Sequence, residues 1–372
     1  MDFKIEYVES EQDIEKFVRF GWEVYKNNLF WVPPNVAETK NFLAGKGCFF
    51  DHCKHQLFVA KEKSNIVATV AAFYDHKLSE HWGKEIGLLG FFEALPEKFD
   101  SVQALFLQAE LYLRKLGVEV IQTPINGSIA NPAGLLMNAF NEMPVFLMPY
   151  NPSYYRQYFS RLGYKPIKEL IAYTMDLLDD RLQRKINYVL RRSQSSEVKI
   201  RKFDRTRFRE DSNTLAAIYS ETFKDHWGYT PSSEEEMYEM LNPFKLVLDN
   251  DLVLFAEHEG KVVGFTLAVP DYNPIFKKLN GNFEFLNAFS FFYLAKKVRE
   301  GRLIAIGVKS DWRGKKIAPL LVASAYSAMI KKGYTRCEYS WVFRENMSSR
   351  SVATKFYSDD YRSYCVYEKK IR

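Results

Sequence analysis

Four cationic side chains, Lys309, Arg313, Lys315 and Lys316, surround Gly314 in a stretch that leads from an apolar segment, Ile304 to Val308, into a helical one at Pro319. A glycine-bearing basic loop ahead of a helix gathers backbone N–H groups and the positive end of the helix dipole at one point. That is an anion site, suited to a pyrophosphate. Pro319 fits a first helical turn, where its missing N–H would have had no acceptor, and Lys331, Lys332 and Gly333 mark the far end. The loop is not a Walker loop, because Lys309 stands where the first glycine would be needed ahead of Gly314-Lys315 and no Ser or Thr follows the lysine pair. It is not a Rossmann fingerprint either. A nucleotide-bearing cofactor is the expectation.

A second crowding of reactive side chains, Cys48, His52, Cys53 and His55, falls within eight residues. Its Cys-x4-Cys and His-x2-His spacings match no common zinc module and no second cluster completes one, so no metal is expected. The absence of a Gly-x-Ser-x-Gly elbow argues against covalent hydrolase chemistry.

The elements that must position the loop follow from the apolar periodicity. In the first half they are a strand from Phe3 to Val8, a helix from Glu11 to Tyr25, and paired strands Gln56 to Ala60 and Ile66 to Tyr74 about Lys63-Ser64-Asn65. A strand Glu85 to Ala94, a helix Ser101 to Leu116 closed by Gly117, and a strand Val118 to Thr123 ended by Pro124 complete it. The second half repeats the order. It has a helix Ser212 to Phe223, strands Leu252 to His258 and Val262 to Val269 about Glu259-Gly260-Lys261, a strand Arg302 to Val308, a helix Pro319 to Lys332 and a strand Thr335 to Val342. A charged helix, Asp179 to Arg192, followed by Ser193-Gln194-Ser195-Ser196, joins the halves. The pattern predicts an α/β (α+β) protein with duplicated topology.

With the loop and its flanks in view, Arg313-Gly314-Lys315-Lys316-Ile317-Ala318 is similar to the Arg/Gln-x-x-Gly-x-Gly/Ala signature of GNAT acyltransferases, which cradles the coenzyme A pyrophosphate. Lys316 departs from it, standing where the family usually has glycine. Trp227-Gly228, Val263-Gly264-Phe265, Pro270-Asp271-Tyr272-Asn273, Glu338-Tyr339-Ser340-Trp341 and Glu345-Asn346 resemble a bacterial tandem-GNAT subgroup. Pro124-Ile125-Asn126-Gly127-Ser128, Met148-Pro149-Tyr150-Asn151 and Tyr154-Tyr155 do so in the first half. The resemblance covers nearly the whole chain and implies two GNAT-like domains in tandem, each a twisted mixed sheet flanked by helices. The expected division is 1–178 as a degenerate domain on the acceptor side, 179–198 as a basic linker helix, and 199–372 as the domain that binds acyl-CoA. The first half supports this asymmetry, since Leu95-Pro96-Glu97-Lys98-Phe99-Asp100 has no glycine and two acids, a poor pyrophosphate cradle.

The chemistry implied by the resemblance is direct attack of an amine on a thioester, with acetyl-CoA as the default donor and a longer acyl-CoA as the alternative. The amine must lose a proton, for which Glu338 is the first candidate base and Glu345 the second. Backbone donors around Ile306, Gly307 and Val308 would stabilise the charge on the thioester carbonyl. Tyr357, following a short helix after Asn346, is the first candidate proton donor, with Tyr361 as the alternative. A salt bridge from Glu338 to Arg302 or Arg336 is the competing structural role. The expected cofactor contacts are Ile306, Gly307, Val308, Arg313, Gly314, Lys315, Lys316, Ile317, Ala318 and Asn346. The expected acceptor contacts are Trp227, Asp271, Asn273, Trp341, Asn126, Tyr150 and Tyr154. The aromatic stretch Phe283 to Leu294 would suit an acyl or lipid-facing groove or a packed helix.

Composition bounds the rest. A chain of 372 residues exceeds the size at which one core usually stops growing. Its longest apolar runs, such as Ile66 to Tyr74 broken by Thr69, fall short of the roughly 20 residues of a membrane helix. The amino terminus has neither a basic nor an apolar signal region, and four scattered cysteines suit a reducing compartment, so a cytoplasmic location is expected. The net charge is only +6, but between Arg181 and Arg209 eleven basic residues face two acids, Glu197 and Asp204. That bridge suits a solvated helix or contact with an anionic membrane surface, or a non-catalytic role holding an anionic partner. A nucleic-acid partner is not expected. The acceptor is expected to be a small-molecule or lipid-like amine.

Overall fold

The computed structural model describes residues 3–193, 197–245, 248–283 and 288–371. They form two compact units. The first comprises 1–169, 273–285 and 363–372, the second 170–272 and 286–362. The chain thus passes between the units more than once, and the helix expected as a linker lies inside the second.

The first unit is built on strands β1 (Phe3–Val8), β2 (Cys53–Glu62), β3 (Asn65–Asp75), β4 (Ile86–Ala94), β5 (Val120–Thr123) and the short β6 (Leu135–Leu136). β1 to β4 pair antiparallel in sequence order, and a short turn reverses the chain between β2 and β3 at Lys63, which takes a left-handed φ of 56°. β4 and β5 are joined by a helix and run parallel. Helices α1 (Glu11–Arg19), α2 (Gly21–Val24), α3 (Val36–Leu43), α4 (His76–Trp82), α5 (Phe99–Lys115) and α6 (Tyr155–Arg161) accompany them. The helix expected over Glu11 to Tyr25 divides at Phe20, which ends α1 and begins α2. Val102, Leu105, Phe106, Ala109 and Leu113, spaced along one face of α5, bury against Phe58, Val70 and Leu89 of the sheet.

The second unit takes most of β7 (Lys165–Asp176), then α7 (Asp180–Arg192), β8 (Lys199–Lys202), α8 (Phe208–Phe223), α9 (Glu234–Leu241), β9 (Val253–His258) and β10 (Lys261–Pro270). After α10 (Asn273–Leu279), which belongs to the first unit, come α11 (Ala288–Ala295), β11 (Glu300–Val308), α12 (Ile317–Lys331), β12 (Arg336–Phe343) and α13 (Met347–Lys355). β13 (Asp359–Lys370) begins in this unit and ends in the first, where Tyr367–Lys370 pair with β5. The sheet order β7-β12-β11-β10-β9-β8 is antiparallel except for the parallel β11–β12 pair. α8 packs Leu215, Ala216 and Ile218 onto Phe255, Phe265 and Ala305.

Both units carry the same device in the strand that precedes their long helix. β4 pairs with β5 only over Ile86–Leu88, and β11 with β12 only over Glu300–Leu303. Just beyond, each acquires one extra residue against its antiparallel neighbour. It falls at Phe91–Phe92 in β4, where Glu93 opposes Thr69 and Gly90 opposes Ala71, and at Ile304 in β11, where Leu303 and Ala305 oppose Ala268 and Leu267. Such a bulge bends and twists its strand. In each unit the parallel pairing ends before the bulge. This is the duplicated topology the sequence pattern predicts.

Candidate active site

The basic loop lies between β11 and α12. Lys309 N–H returns to Val263 O (3.0 Å), Trp312 N–H to Lys309 O (2.9 Å) and Arg313 N–H to Ser310 O (3.1 Å), closing a turn that ends at Gly314 and Lys316. These two residues have φ values of 80° and 62°. The glycine adopts this region freely, whereas the lysine does so against the clash of its Cβ. The chain therefore keeps the backbone course that favours glycine even with lysine there. Lys316 is the N-cap of α12 and gives it no side-chain cap. The N–H groups of Ile317 and Ala318 have no acceptor within the helix, and Pro319 has no N–H to leave unpaired. Arg313, Lys315 and Lys316 are exposed around this end. Trp312 steadies the loop, with His258 4.7 Å away between ring centroids and Lys315 Nζ 4.2 Å from its own ring centre. Burial, and then the charge of Arg313, lower the pKa of His226, so Arg313 acts electrostatically on the segment that carries Trp227.

Gly307 sits in the bulged half of β11, where an added Cβ would collide with Phe265 and Thr222. Its role in the strand is close packing. Beyond Leu303 the edge of β11 that faced β12 has left its partner strand. At that point Arg302, 4% exposed, donates from Nε to Ser340 Oγ (3.0 Å) and from Nη2 to Ser340 O (3.1 Å), spanning the two strands where they separate.

Glu338 lies two residues before Ser340, 1% exposed. Its Oε2 accepts the Tyr361 hydroxyl and lies 3.9 Å from Arg362 Nη1. Its Oε1 has no hydrogen-bond partner among the described residues. Burial first, and the neighbouring carboxylate second, push the Tyr361 phenol far above its ordinary range, so it holds its proton. The cation beside Glu338 is therefore Arg362. Arg302 is directed to Ser340, and Arg336 lies against the Tyr361 ring at 5.0 Å and hydrogen-bonds Thr174 (2.8 Å).

The other expected site residues divide. Trp227 and Trp341 converge on Phe343, with ring centroids 5.9 and 5.6 Å from it, and form an aromatic wall beside the C-terminal end of β12. Tyr357 is half exposed, at a left-handed turn after α13 (φ 57°), with Arg181 5.6 Å from its ring. Tyr361, not Tyr357, is hydrogen-bonded to Glu338. Glu345 is exposed in the turn after β12, and Asn346 caps α13 by accepting Ser349 N–H (3.0 Å). Asp271 is buried, its N–H on Glu300 O (2.8 Å). Of the aromatic stretch, Glu284 to Asn287 lie outside the described residues. Phe291 is buried against Tyr272, and Tyr293 is exposed beneath Lys297.

In the first unit the side chains expected to meet the acceptor are engaged in holding the fold. Asn126 Oδ1 accepts Phe91 N–H (2.7 Å) at the bulge, Asn273 donates to Pro144 O (2.7 Å), and Tyr150 donates to Phe140 O (2.6 Å). The end of β4 and the start of α5 are covered by three hydroxyls at the N-terminal end of α6. Tyr154 donates to Ala94 O (2.6 Å), Tyr155 accepts Ala94 N–H (2.6 Å) and donates to Glu93 (2.7 Å), and Tyr158 accepts Lys98 N–H (3.1 Å). The backbone that mirrors the basic loop is already hydrogen-bonded. In the cluster of Cys48, His52, Cys53 and His55, His52 Nδ1 pairs with Asp75 (2.8 Å), His55 Nε2 lies 3.0 Å from Leu43 O, and Cys53 is buried.

A strand bulged away from its parallel neighbour, a helix with unpaired N–H groups and exposed cations at its start, and a buried carboxylate on the neighbouring strand are the arrangement that the GNAT resemblance implies. Residues 213–357 match the model of the acetyltransferase (GNAT) family. The chain is 28% identical over 385 residues to a bacterial ceramide synthase of Caulobacter vibrioides (strain NA1000 / CB15N), covering 100% of this chain and 98% of the relative. It is 27% identical over 370 residues to protein YghO of Escherichia coli (strain K12), covering 97% and 94%. A solved tandem GNAT protein from the clavulanic acid biosynthesis pathway aligns with a TM-score of 0.60 at 10% identity, over 99% of this chain and 98% of that one. Residues 213–357 thus form a GNAT-family domain, and the chain as a whole has the fold of a tandem GNAT protein.

Proposed function

We propose that this protein is a CoA-dependent N-acyltransferase that places a long acyl chain on the amine of a lipid-like amino alcohol. The observation that carries the transferase reading is the parting of β11 from β12 at Ile304, ahead of the uncapped start of α12. The lipid-like acceptor is supported by the relative of full-length similarity named a ceramide synthase, since a ceramide is an N-acylated long-chain amino alcohol. A two-carbon donor and a small primary amine form the second reading, favoured by the acetyltransferase description of the matched family.

An acyl-CoA supplies the activated thioester when bound. The N–H groups of Ile317 and Ala318 and the cations Arg313, Lys315 and Lys316 would hold its pyrophosphate. The edge of Ile304 to Val308, which includes Ile306 and Gly307, offers backbone groups to the amide-bearing arm and to charge developing on the carbonyl. Glu338 Oε1 takes the proton that the acceptor ammonium must lose, directly or through one bridging water. Tyr361 and Arg362 hold the other oxygen in place. Trp227, Phe343 and Trp341 give an acceptor chain an apolar wall.

The test is titration calorimetry with acetyl-CoA, palmitoyl-CoA and free CoA, repeated on Gly314→Asp, followed by thiol release with a long-chain amino alcohol. Palmitoyl-CoA binding that the substitution abolishes, with thiol release dependent on the amino alcohol, is the expected result. Turnover of acetyl-CoA alone would select the second reading, and no binding of any thioester would overturn both.

A further inference from the structure

We infer that the exposed face of α7 is a docking surface for an anionic lipid bilayer. The inference goes beyond the transferase reading and does not depend on which amine is acylated. Leu182 and Ile186 bury one side of α7 in the second unit, where the helix packs on α12. At about 100° per residue, Arg181, Arg184, Lys185, Tyr188, Arg191 and Arg192 fall within an arc of roughly 120° on another side. Arg184, Tyr188, Arg191 and Arg192, with Asn187, line an open hollow of about 570 Å³. Arg181 is paired with Asp179, and Arg192 donates to the Tyr188 hydroxyl (2.6 Å). Arg184 and Arg191 have no ion-pair partner among the described residues, so their charge is uncompensated locally.

Two observations commit the surface to a bilayer. From Arg184 to Arg192 every charged side chain of the helix is cationic, which complements the negative surface of anionic lipids. Large apolar groups stand exposed beside the cations. Tyr188, at the centre of the arc, is 54% exposed, and at the start of the helix Leu178 and Tyr357 are 61% and 50% exposed. The Tyr357 ring is 5.6 Å from Arg181. Tyrosine with arginine whose stem lies along apolar surface is the composition of a bilayer interface. An exposed leucine adds burial in acyl chains and has no counterpart in a phosphate-tracking site. No helix among the described residues is long and apolar enough to cross a membrane, so the attachment is peripheral.

The experiment is sedimentation of the full chain with phosphatidylcholine vesicles, with and without about 30% phosphatidylglycerol, as salt rises from about 0.1 to about 0.5 M. The expected result is partition onto the anionic vesicles that salt reverses. The triple variant Arg184→Gln, Arg191→Gln and Arg192→Gln should lose about 100-fold in partition, roughly fivefold per charge. Tyr188→Ala should lose a smaller factor that salt does not change. The substituted side chains are exposed, and an unchanged thermal unfolding midpoint confirms the fold. Equal partition onto neutral vesicles, no partition at all, or indifference to the triple substitution would each overturn the inference. Binding of an RNA hairpin in place of vesicles would overturn it in favour of a nucleic-acid surface.

Discussion

Arg302 holds Ser340 by two hydrogen bonds, to Oγ at 3.0 Å and to the carbonyl at 3.1 Å, across the point where β11 and β12 cease to pair. One buried guanidinium thus replaces the strand-to-strand ladder that the bulge at Ile304 interrupts. Ser340→Ala removes the hydroxyl acceptor and leaves a buried Nε–H without it. The expected cost is about 1–3 kcal/mol, read as a lower urea midpoint at unchanged slope. A midpoint equal to wild type would show that the neighbouring carbonyl alone suffices.

Lys316 carries a strained φ at the N-cap of α12, where the family signature has glycine. Lys316→Gly relieves about 1 kcal/mol of left-handed strain and removes one cation from the pyrophosphate end. The two effects separate experimentally. Thermal stability should rise, while free CoA affinity should change by less than about tenfold, because Arg313, Lys315 and the N–H groups remain. A large loss of affinity would assign the main phosphate contact to the Lys316 side chain.

The basic loop was legible because its signal is local: an apolar strand, a glycine among cations, then a helix with proline in its first turn. Glu338 was legible as a candidate, but its partners were not. Tyr361 and Arg362 reach it from a strand more than twenty residues further on, and no spacing encodes that approach. The bulges at Phe91–Phe92 and Ile304 were equally hidden, since an extra residue exists only relative to the strand it opposes. The missing glycine between Leu95 and Asp100 pointed to a first half without a phosphate cradle. What stands there instead, the hydroxyls of Tyr154, Tyr155 and Tyr158, depends on where α6 docks. That is a tertiary outcome.

Glu338 and Tyr361 make a prediction that separates chemistry from binding. Glu338→Gln keeps the shape and removes the proton acceptor, so turnover should fall by about 10²–10⁴-fold while acyl-CoA affinity stays within a few-fold. Tyr361→Phe leaves the carboxylate with Arg362 alone and should fall less. Tyr357→Phe should leave turnover near wild type, because that ring lies against Arg181 rather than Glu338. Loss of turnover in Tyr357→Phe with activity retained in Tyr361→Phe would reverse the assignment.

Glu93 gives a pH prediction for the first unit. Its carboxyl accepts Tyr155 (2.7 Å) and Tyr25 (3.1 Å), yet burial outweighs these bonds and pushes its pKa up to about 8 from an ordinary value of 4.5. Between those values the folded state holds a proton that the unfolded chain releases, so each step up in pH favours unfolding. The penalty begins above pH 4.5 and levels off once pH passes about 8, where both states are ionised. Glu93→Gln copies the protonated acid and removes the dependence. The variant should therefore gain on wild type as pH rises through this window, by on the order of a few kcal/mol at most. Parallel unfolding midpoints for the two proteins from pH 5 to pH 9 would show that Glu93 is already ionised beside its tyrosines.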